Sequence, residues 1–274
     1  MASELIECPL YNGKYQMVHN PNARGSQPRY KVTEGDVTTK PQGVTTILGA
    51  TLSKDLMQWA VDCCVNELLG ILPGQITEND IQEAGAAYTR KRDSGASTGT
   101  EAHAYVEQFL KGAAPSMLTA TQEAANAYKA FRQWFTKTKP TVIGVENVIY
   151  SEVYQFAGTY DCLLNVDGKN YLCDLKTTNV SRKAPQGVYA EYFIQLGAYA
   201  LAHEEQRAYE EANGGTSLVK LDGLMVISAK KNGQLDIITD EDVGLNVDWC
   251  GELFGQVVAL NRFLKGTTKL LGGR

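Results

Sequence analysis

The spacing of hydrophobic positions changes character at Pro140. Up to residue 43, Gly, Pro, Asn and Thr interrupt every apolar run, which predicts irregular structure with short strands. From Gly43-Val44-Thr45-Thr46-Ile47-Leu48 onward the pattern is helical. It passes through Trp59, Val61, Val65 and Leu68 to Gly70, with Thr45, Thr46 or Ser53 as candidate caps. Thr77-Glu78-Asn79-Asp80 offers Thr77 as the N-cap of a second helix over roughly 78–93. Further helices are predicted over roughly 98–111 and 119–137, the last ending before Pro140.

Beyond Pro140, residues 141–178 are rich in short runs of Val, Ile, Tyr and Leu and predict strands. A helix over roughly 188–212 stops at Asn213-Gly214-Gly215. Strands near 217–229 and 234–239 are joined by Asn232-Gly233, a hairpin signal. An amphipathic helix over roughly 245–265 closes the order. This arrangement predicts an α/β protein with a central mixed β-sheet flanked by helices. No linker divides it, so a single domain over 1–274 is expected. Residues 1–140 would form a mainly helical N-terminal region, 141–240 the sheet core, and 241–274 a C-terminal helix.

Composition narrows the function classes. Hydrophobic residues make up 43 % of the 274 and charged residues 21 %, which fits a soluble globular core and excludes general disorder. No apolar stretch approaches ~18 residues, and the opening MASELIECPL lacks the pattern of a secretory signal, so a cytoplasmic protein without membrane partners is expected. The net charge of −5 argues against a generally basic nucleic-acid surface, but leaves room for basic strips or metal-mediated contact with phosphate. Cys8, Cys63, Cys64, Cys162, Cys173 and Cys250 do not form a disulfide framework, and reduced thiols are expected.

The segment 156–178 carries most of the chemistry. Asp167-Gly168 between two β-rich runs calls for a two-residue type I′ turn. Val166 then pairs with Lys169, and counting back pairs Cys162 with Cys173 and Asp161 with Asp174. Strand alternation puts Lys176 on the face of Asp174. Two opposed carboxylates repel, and a divalent cation with oxygen ligands would offset that. Otherwise Asp174 and Lys176 are solvated surface charges and Asp161 merely lies near the turn.

Gly158-Thr159-Tyr160-Asp161, Asp174-Leu175-Lys176-Thr177-Thr178 and Gln195-x-x-x-Tyr199 together resemble the PD-(D/E)XK nuclease superfamily, and more narrowly its RecB-like branch. Gly99-Thr100-Glu101-Ala102-His103-Ala104-Tyr105-Val106-Glu107 resembles the upstream helix of that branch. Gly43-Val44-Thr45-Thr46-Ile47-Leu48 is similar to an opening segment of phage exonucleases and of mitochondrial genome maintenance exonucleases, with Gln42-Gly43 replacing Pro-Ser. The resemblance runs from about 43 to 230. It implies a restriction-endonuclease-like core and a metal-dependent DNA exonuclease acting on free ends of single-stranded DNA.

The same resemblance assigns roles. His103, Asp161, Asp174 and the Leu175 carbonyl would hold Mg²⁺ or Mn²⁺, and Lys176 would orient the attacking water. Gln195 and Tyr199 would order the site or approach the substrate backbone; alternatively Tyr199 belongs to an ordinary core stripe. Glu107, one helical turn from His103, and Glu146 would support the metal, with Glu152 as a competitor for the place of Glu146. Arg90, Lys91, Arg92 and Ser94 precede the Gly-Thr-x-x-His helix and would face the DNA; Arg182 with Lys183, and Lys230 with Lys231, are further phosphate candidates. The C-terminal third contains only Cys250, so the four-cysteine iron–sulfur cluster of some relatives is not expected. Competing readings are a structure-specific endonuclease on the same fold and a catalytically silent DNA-binding or scaffold protein.

Overall fold

The computed structural model describes residues 5–52, 57–72, 74–179 and 186–270. The first strands are β1 (Ile6–Leu10), β2 (Tyr15–His19), β3 (Tyr30–Glu34) and β4 (Val37–Thr39), which form an antiparallel four-stranded sheet. The short strands expected before residue 43 are therefore an organised sheet, and the helical description of residues 1–140 holds only beyond it. In β2, Tyr15, Met17 and His19 alternate inward, so one face is buried. That face packs on Val148, Tyr150 and Ala157 of the main sheet. The Tyr11 hydroxyl donates to the Tyr150 carbonyl at 2.9 Å and helps fix the docking.

The main sheet contains β5 (Gln42–Gly43), β6 (Thr141–Ser151), β7 (Phe156–Val166), β8 (Lys169–Thr178), β9 (Gly223–Lys230) and β10 (Leu235–Thr239). Its order is β10-β9-β8-β7-β5, with β6 also paired to β7. Parallel β8–β9 and β5–β7 pairs stand beside antiparallel β6–β7, β7–β8 and β9–β10 pairs, so the sheet is mixed as expected. The β7–β8 turn has Asp167 at φ 51° and Gly168 at φ 87°, the two left-handed positions a type I′ turn requires.

The helices are α1 (Val44–Thr51), α2 (Met57–Leu69), α3 (Glu78–Leu110), α4 (Gln122–Thr138), α5 (Ala190–Ala212) and α6 (Val247–Leu270). The single helix expected from residue 45 to 70 is thus two, and its cap is the Gly43 backbone rather than Thr45 or Thr46. Ser53 lies outside the described residues. The two helices expected over 78–93 and 98–111 are one 33-residue helix. Thr77 starts it with a capping box to Asp80. Gly95 and Gly99, each costing about 1 kcal/mol against Ala, do not interrupt it. The expected cap agrees, and the remaining boundaries agree to within a few residues except that β9 starts at Gly223 rather than near 217 and α6 runs on to Leu270 rather than 265.

Helices α1, α5 and α6 pack on one face of the sheet around Phe156, Leu172, Leu196, Leu224 and Phe254. Helices α3 and α4 pack on the other around Tyr105, Phe131, Leu164, Leu175 and Ile227. Cys162 and Cys173, paired in register, are buried in this second layer. Among the described residues no helix is long and apolar enough to cross a membrane.

Candidate active site

One edge of β7 is shared by two strands. β5 pairs with Phe156 and Ala157, while β8 pairs with Cys162 to Val166. Residues 158–161 lie between those two pairings, and a cleft of about 470 Å³ opens beside them. Its walls include Gly158, Thr159 and Asp161 of β7, Gly99, Thr100, His103 and Glu107 of α3, and Val44 and Thr45 at the start of α1.

The register expected from the turn holds from Val166–Lys169 to Cys162–Cys173 and stops there. Asp161 and Asp174 are therefore not a ladder pair, which corrects the expectation of directly opposed carboxylates. The strands part, and Asp161 turns its Oδ2 to accept a hydrogen bond from the Leu175 N–H at 2.7 Å. The acceptor that β7 no longer supplies through its backbone comes from a side chain instead. His103 Nδ1 stands 3.7 Å from the same Asp161 oxygen.

Asp174 is 2 % exposed, and its charge is matched by Lys176. Lys176 Nζ donates to Asp174 Oδ1 at 2.8 Å and to Gln195 Oε1 at 3.3 Å. Gln195 Nε2 donates to the Tyr199 hydroxyl at 2.9 Å. This accounts for an amide interrupting the apolar stripe of α5: Gln195 links two polar side chains. Lys176 Nζ also lies 4.8 Å from the centre of the Tyr192 ring. The Tyr199 ring lies so close to β7 that a Cβ at residue 158 would stand 2.6 Å from its Cε1, so only glycine fits there.

Electrostatics follow from burial. Desolvation pushes the Asp174 carboxyl up to about 6, with Lys176 opposing the shift. Burial works against the Lys176 charge, but Asp174 and Asp161 outweigh it and raise the ammonium pKa overall. Glu146 lies between the paired positions Val145 and Asn147, as Asp161 lies between Tyr160 and Cys162. Its backbone is left-handed, φ 53°, which is uncommon for a non-glycine residue. Burial, then the charges of Asp161 and Glu107, push its carboxyl up to about 8. Glu107 lines the cleft while paired with Lys111 at 2.6 Å. Glu152 is held by Lys14 at 2.7 Å.

The structure thus brings His103, Glu107, Glu146, Asp161 and Tyr199 to one cleft, and a hydrogen-bond series runs from Tyr199 through Gln195 and Lys176 to Asp174. Among the described residues, the basic candidates Arg90, Lys91, Arg92, Lys230 and Lys231 do not line the cleft. Arg90 bridges Glu83 at 2.9 Å and Glu67 at 3.1 Å, tying α3 to α2. Arg92 pairs with Asp93 at 2.8 Å, and Ser94 is an exposed position within α3. Lys231 pairs with Glu123 at 2.8 Å, and Lys230 is buried against Asp236. Arg182 and Lys183 lie outside the described residues. Cleft residues not anticipated from the sequence are His19, Arg29 and Tyr30. The signal was His19 itself, a polar ring at the third inward position of an otherwise apolar strand face.

Among the described residues no three His, Cys, Asp or Glu side chains stand together as a ready coordination group. Asp174 is turned to Lys176, and Asp161 to the Leu175 N–H. The donors nevertheless suit a divalent cation. Asp174 Oδ2 is buried and makes no hydrogen bond, although the Lys176 ammonium stands 2.7 Å away as an ion-pair partner. Carboxylate oxygens beside an imidazole are the ligand chemistry that hard and borderline divalent ions accept.

Comparison with known proteins was informative at the family level. The model of a family described as the PD-(D/E)XK nuclease superfamily matches residues 78–248, more than half of the chain. No curated protein matches. An alkaline exonuclease from Laribacter hongkongensis is similar at 12 % identity over 84 % of this chain and 94 % of that one, with a TM-score of 0.33. Its complex with dAMP is similar at 11 % identity with the same coverage and TM-score. The structure of SSO0001 is similar at 12 % identity over 76 % of this chain and 87 % of that one, with a TM-score of 0.35.

Proposed function

The chain belongs to the PD-(D/E)XK nuclease superfamily, and from that premise we propose that it is a metal-dependent DNA exonuclease that hydrolyses phosphodiester bonds at free, single-stranded ends. The observation that carries this reading is the hydrogen-bonded series Asp174–Lys176–Gln195–Tyr199, whose Tyr199 lines one cleft with Asp161 and His103 where β7 and β8 part. The preference for ends rests on the resemblance of residues 43–48 to an opening segment of phage and mitochondrial exonucleases.

His103, Asp161, Asp174 and the Leu175 carbonyl would hold Mg²⁺ or Mn²⁺, with Glu107 and Glu146 in support. A divalent ion there supplies Lewis acidity toward the scissile phosphate and acidifies the attacking water. Lys176 keeps its proton between Asp174 and Gln195. Its ammonium donates hydrogen bonds that orient the water and stabilise charge developing on the phosphate oxygens. Gln195 fixes the direction of Nζ, and Tyr199 fixes Gln195. Asp161 keeps β7 and β8 apart by satisfying the Leu175 N–H.

The experiment is degradation of end-labelled linear DNA and of circular DNA, single- and double-stranded, with Mg²⁺ or Mn²⁺. Wild type is compared with Asp174→Ala and Lys176→Ala. Loss of linear but not circular substrate, abolished in both variants, is the expected result. Cutting of circles would replace the reading with an endonuclease. Absence of metal-dependent cleavage would leave a DNA-binding scaffold.

A further inference from the structure

The cleft has a second group of polar residues whose chemistry the nuclease reading leaves unused. Residues 44 and 45 begin α1 there, and the Gly43 N-cap supplies no side-chain hydrogen bond to the free N–H groups of the first turn. That turn contains no acidic residue, so its partial positive charge is uncompensated. A helix start alone does not define a site. Here it is joined by His19, which lines the same cleft, is only 5 % exposed, and has neither ring nitrogen hydrogen-bonded. A buried polar ring with two unpaired nitrogens is costly and calls for a partner.

Arg29 lines the cleft beside it, on an exposed stretch leading into β3. Burial, and then the Arg29 charge, lower the His19 pKa, so the guanidinium is within electrostatic reach of the imidazole. The scaffold of this corner is tied together. His19 stacks on Tyr30 with ring centres 4.9 Å apart and planes 16° apart. Gly43 lies against the Tyr30 ring, and the Tyr30 hydroxyl is 3.2 Å from Thr159 Oγ1 on β7. All these residues but Thr159 lie outside the span matched by the superfamily model.

We propose that His19, Arg29 and the α1 N-terminus form a second phosphate-binding subsite. It holds one phosphate group of the bound strand in the same cleft as the carboxylates. The inference rests on the nuclease reading for the identity of the ligand, not for the site's chemistry. A neutral imidazole gives one N–H donor, the guanidinium gives a fork of donors, and the helix start gives backbone N–H groups. The phosphate is either a terminal monoester or an internal diester; both present the same oxyanion.

The full-length chain is tested as wild type, His19→Phe and Arg29→Gln. The first variant keeps the stack on Tyr30, and the second alters an exposed residue. Inorganic phosphate is titrated while thermal unfolding is followed, without DNA or metal. Wild type should be stabilised, and each variant should need about tenfold more phosphate for the same shift, as expected for loss of a charge-assisted hydrogen bond. Equal shifts in all three proteins would overturn the subsite.

Binding of single-stranded oligonucleotides with phosphorylated or hydroxyl ends is then measured in chelator. A preference for phosphorylated ends that vanishes in both variants assigns a terminal monoester. Equal weakening for all ends, with the salt dependence of binding reduced by roughly one ion in Arg29→Gln, assigns an internal diester. Phosphate binding that depends on His19 and Arg29 in a protein that cuts no DNA would retain the subsite and remove the nuclease reading.

Discussion

Replacing Gly158 by Ala is expected to disable the Lys176 series by crowding a ring that does not itself touch Lys176. The added Cβ would stand 2.6 Å from Tyr199 Cε1, 3.0 Å from Cδ1 and 3.2 Å from Val44 Cγ2. Ordinary carbon contact begins near roughly 3.5 Å, so the ring must withdraw by about 1 Å. Tyr199 is buried in the core with α5 and bonded to Gln195, and Gln195 is bonded to Lys176. Overpacking of this kind costs about 1–3 kcal/mol. A displacement of about 1 Å in a positioned site costs on the order of 10²-fold in rate. Gly223→Ala is the matching control: its Cβ would stand 2.6 Å from Cε1 of Tyr171, a ring that does not line the cleft. Both variants should lose stability in urea titrations. Only Gly158→Ala should lose cleavage of end-labelled DNA per folded molecule. Equal residual rates in the two variants would refute transmission from Tyr199 to Lys176. Tyr199→Leu added to Gly158→Ala should recover stability without recovering rate.

Glu146 has a folded pKa of about 8 against an ordinary 4.5, so the folded state holds an extra proton between those values. Metal-free stability should therefore fall as pH rises from about 4.5 to about 8. Glu146→Gln should raise stability at pH 8 by about 2 kcal/mol after allowance for partial exposure; parallel pH profiles for wild type and variant would contradict this. Lys176→Met strands the buried Asp174 carboxylate and should cost about 3–5 kcal/mol at neutral pH. Adding Asp174→Asn should return much of that stability with no activity, as read by thermal melts and the cleavage assay. Thr77→Ala removes the α3 cap, should cost about 1 kcal/mol, and should leave the rate per folded molecule unchanged.

Local grammar made much of this molecule legible. Asp167-Gly168 fixed the β7–β8 register because a type I′ turn admits few alternatives, and Thr77 marked the start of α3 through its capping box. The point at which the β7–β8 ladder ends was not legible, because it depends on β5 arriving from a distant part of the chain to take the other half of the same edge. The break expected between residues 93 and 98 does not occur, because packing against α4 and the sheet overrides weak local propensity. The N-terminal sheet was obscured by short strands whose stability comes from docking on Tyr150 and Val148. Arg90 and Arg92 show the limit of reading charge runs, since a sequence does not reveal which carboxylates will neutralise them.

The pairing of Gln42–Gly43 with Phe156–Ala157 has a consequence for how the protein is made. During translation the segment ending at Gly43 leaves the ribosome long before β7 exists to receive it. Closure across so many residues is entropically slow. The cleft wall formed by Val44 and Thr45 therefore cannot be seated until β7 has been made. The strand that seats this wall is also the one that carries Asp161, so wall and carboxylate enter the fold together.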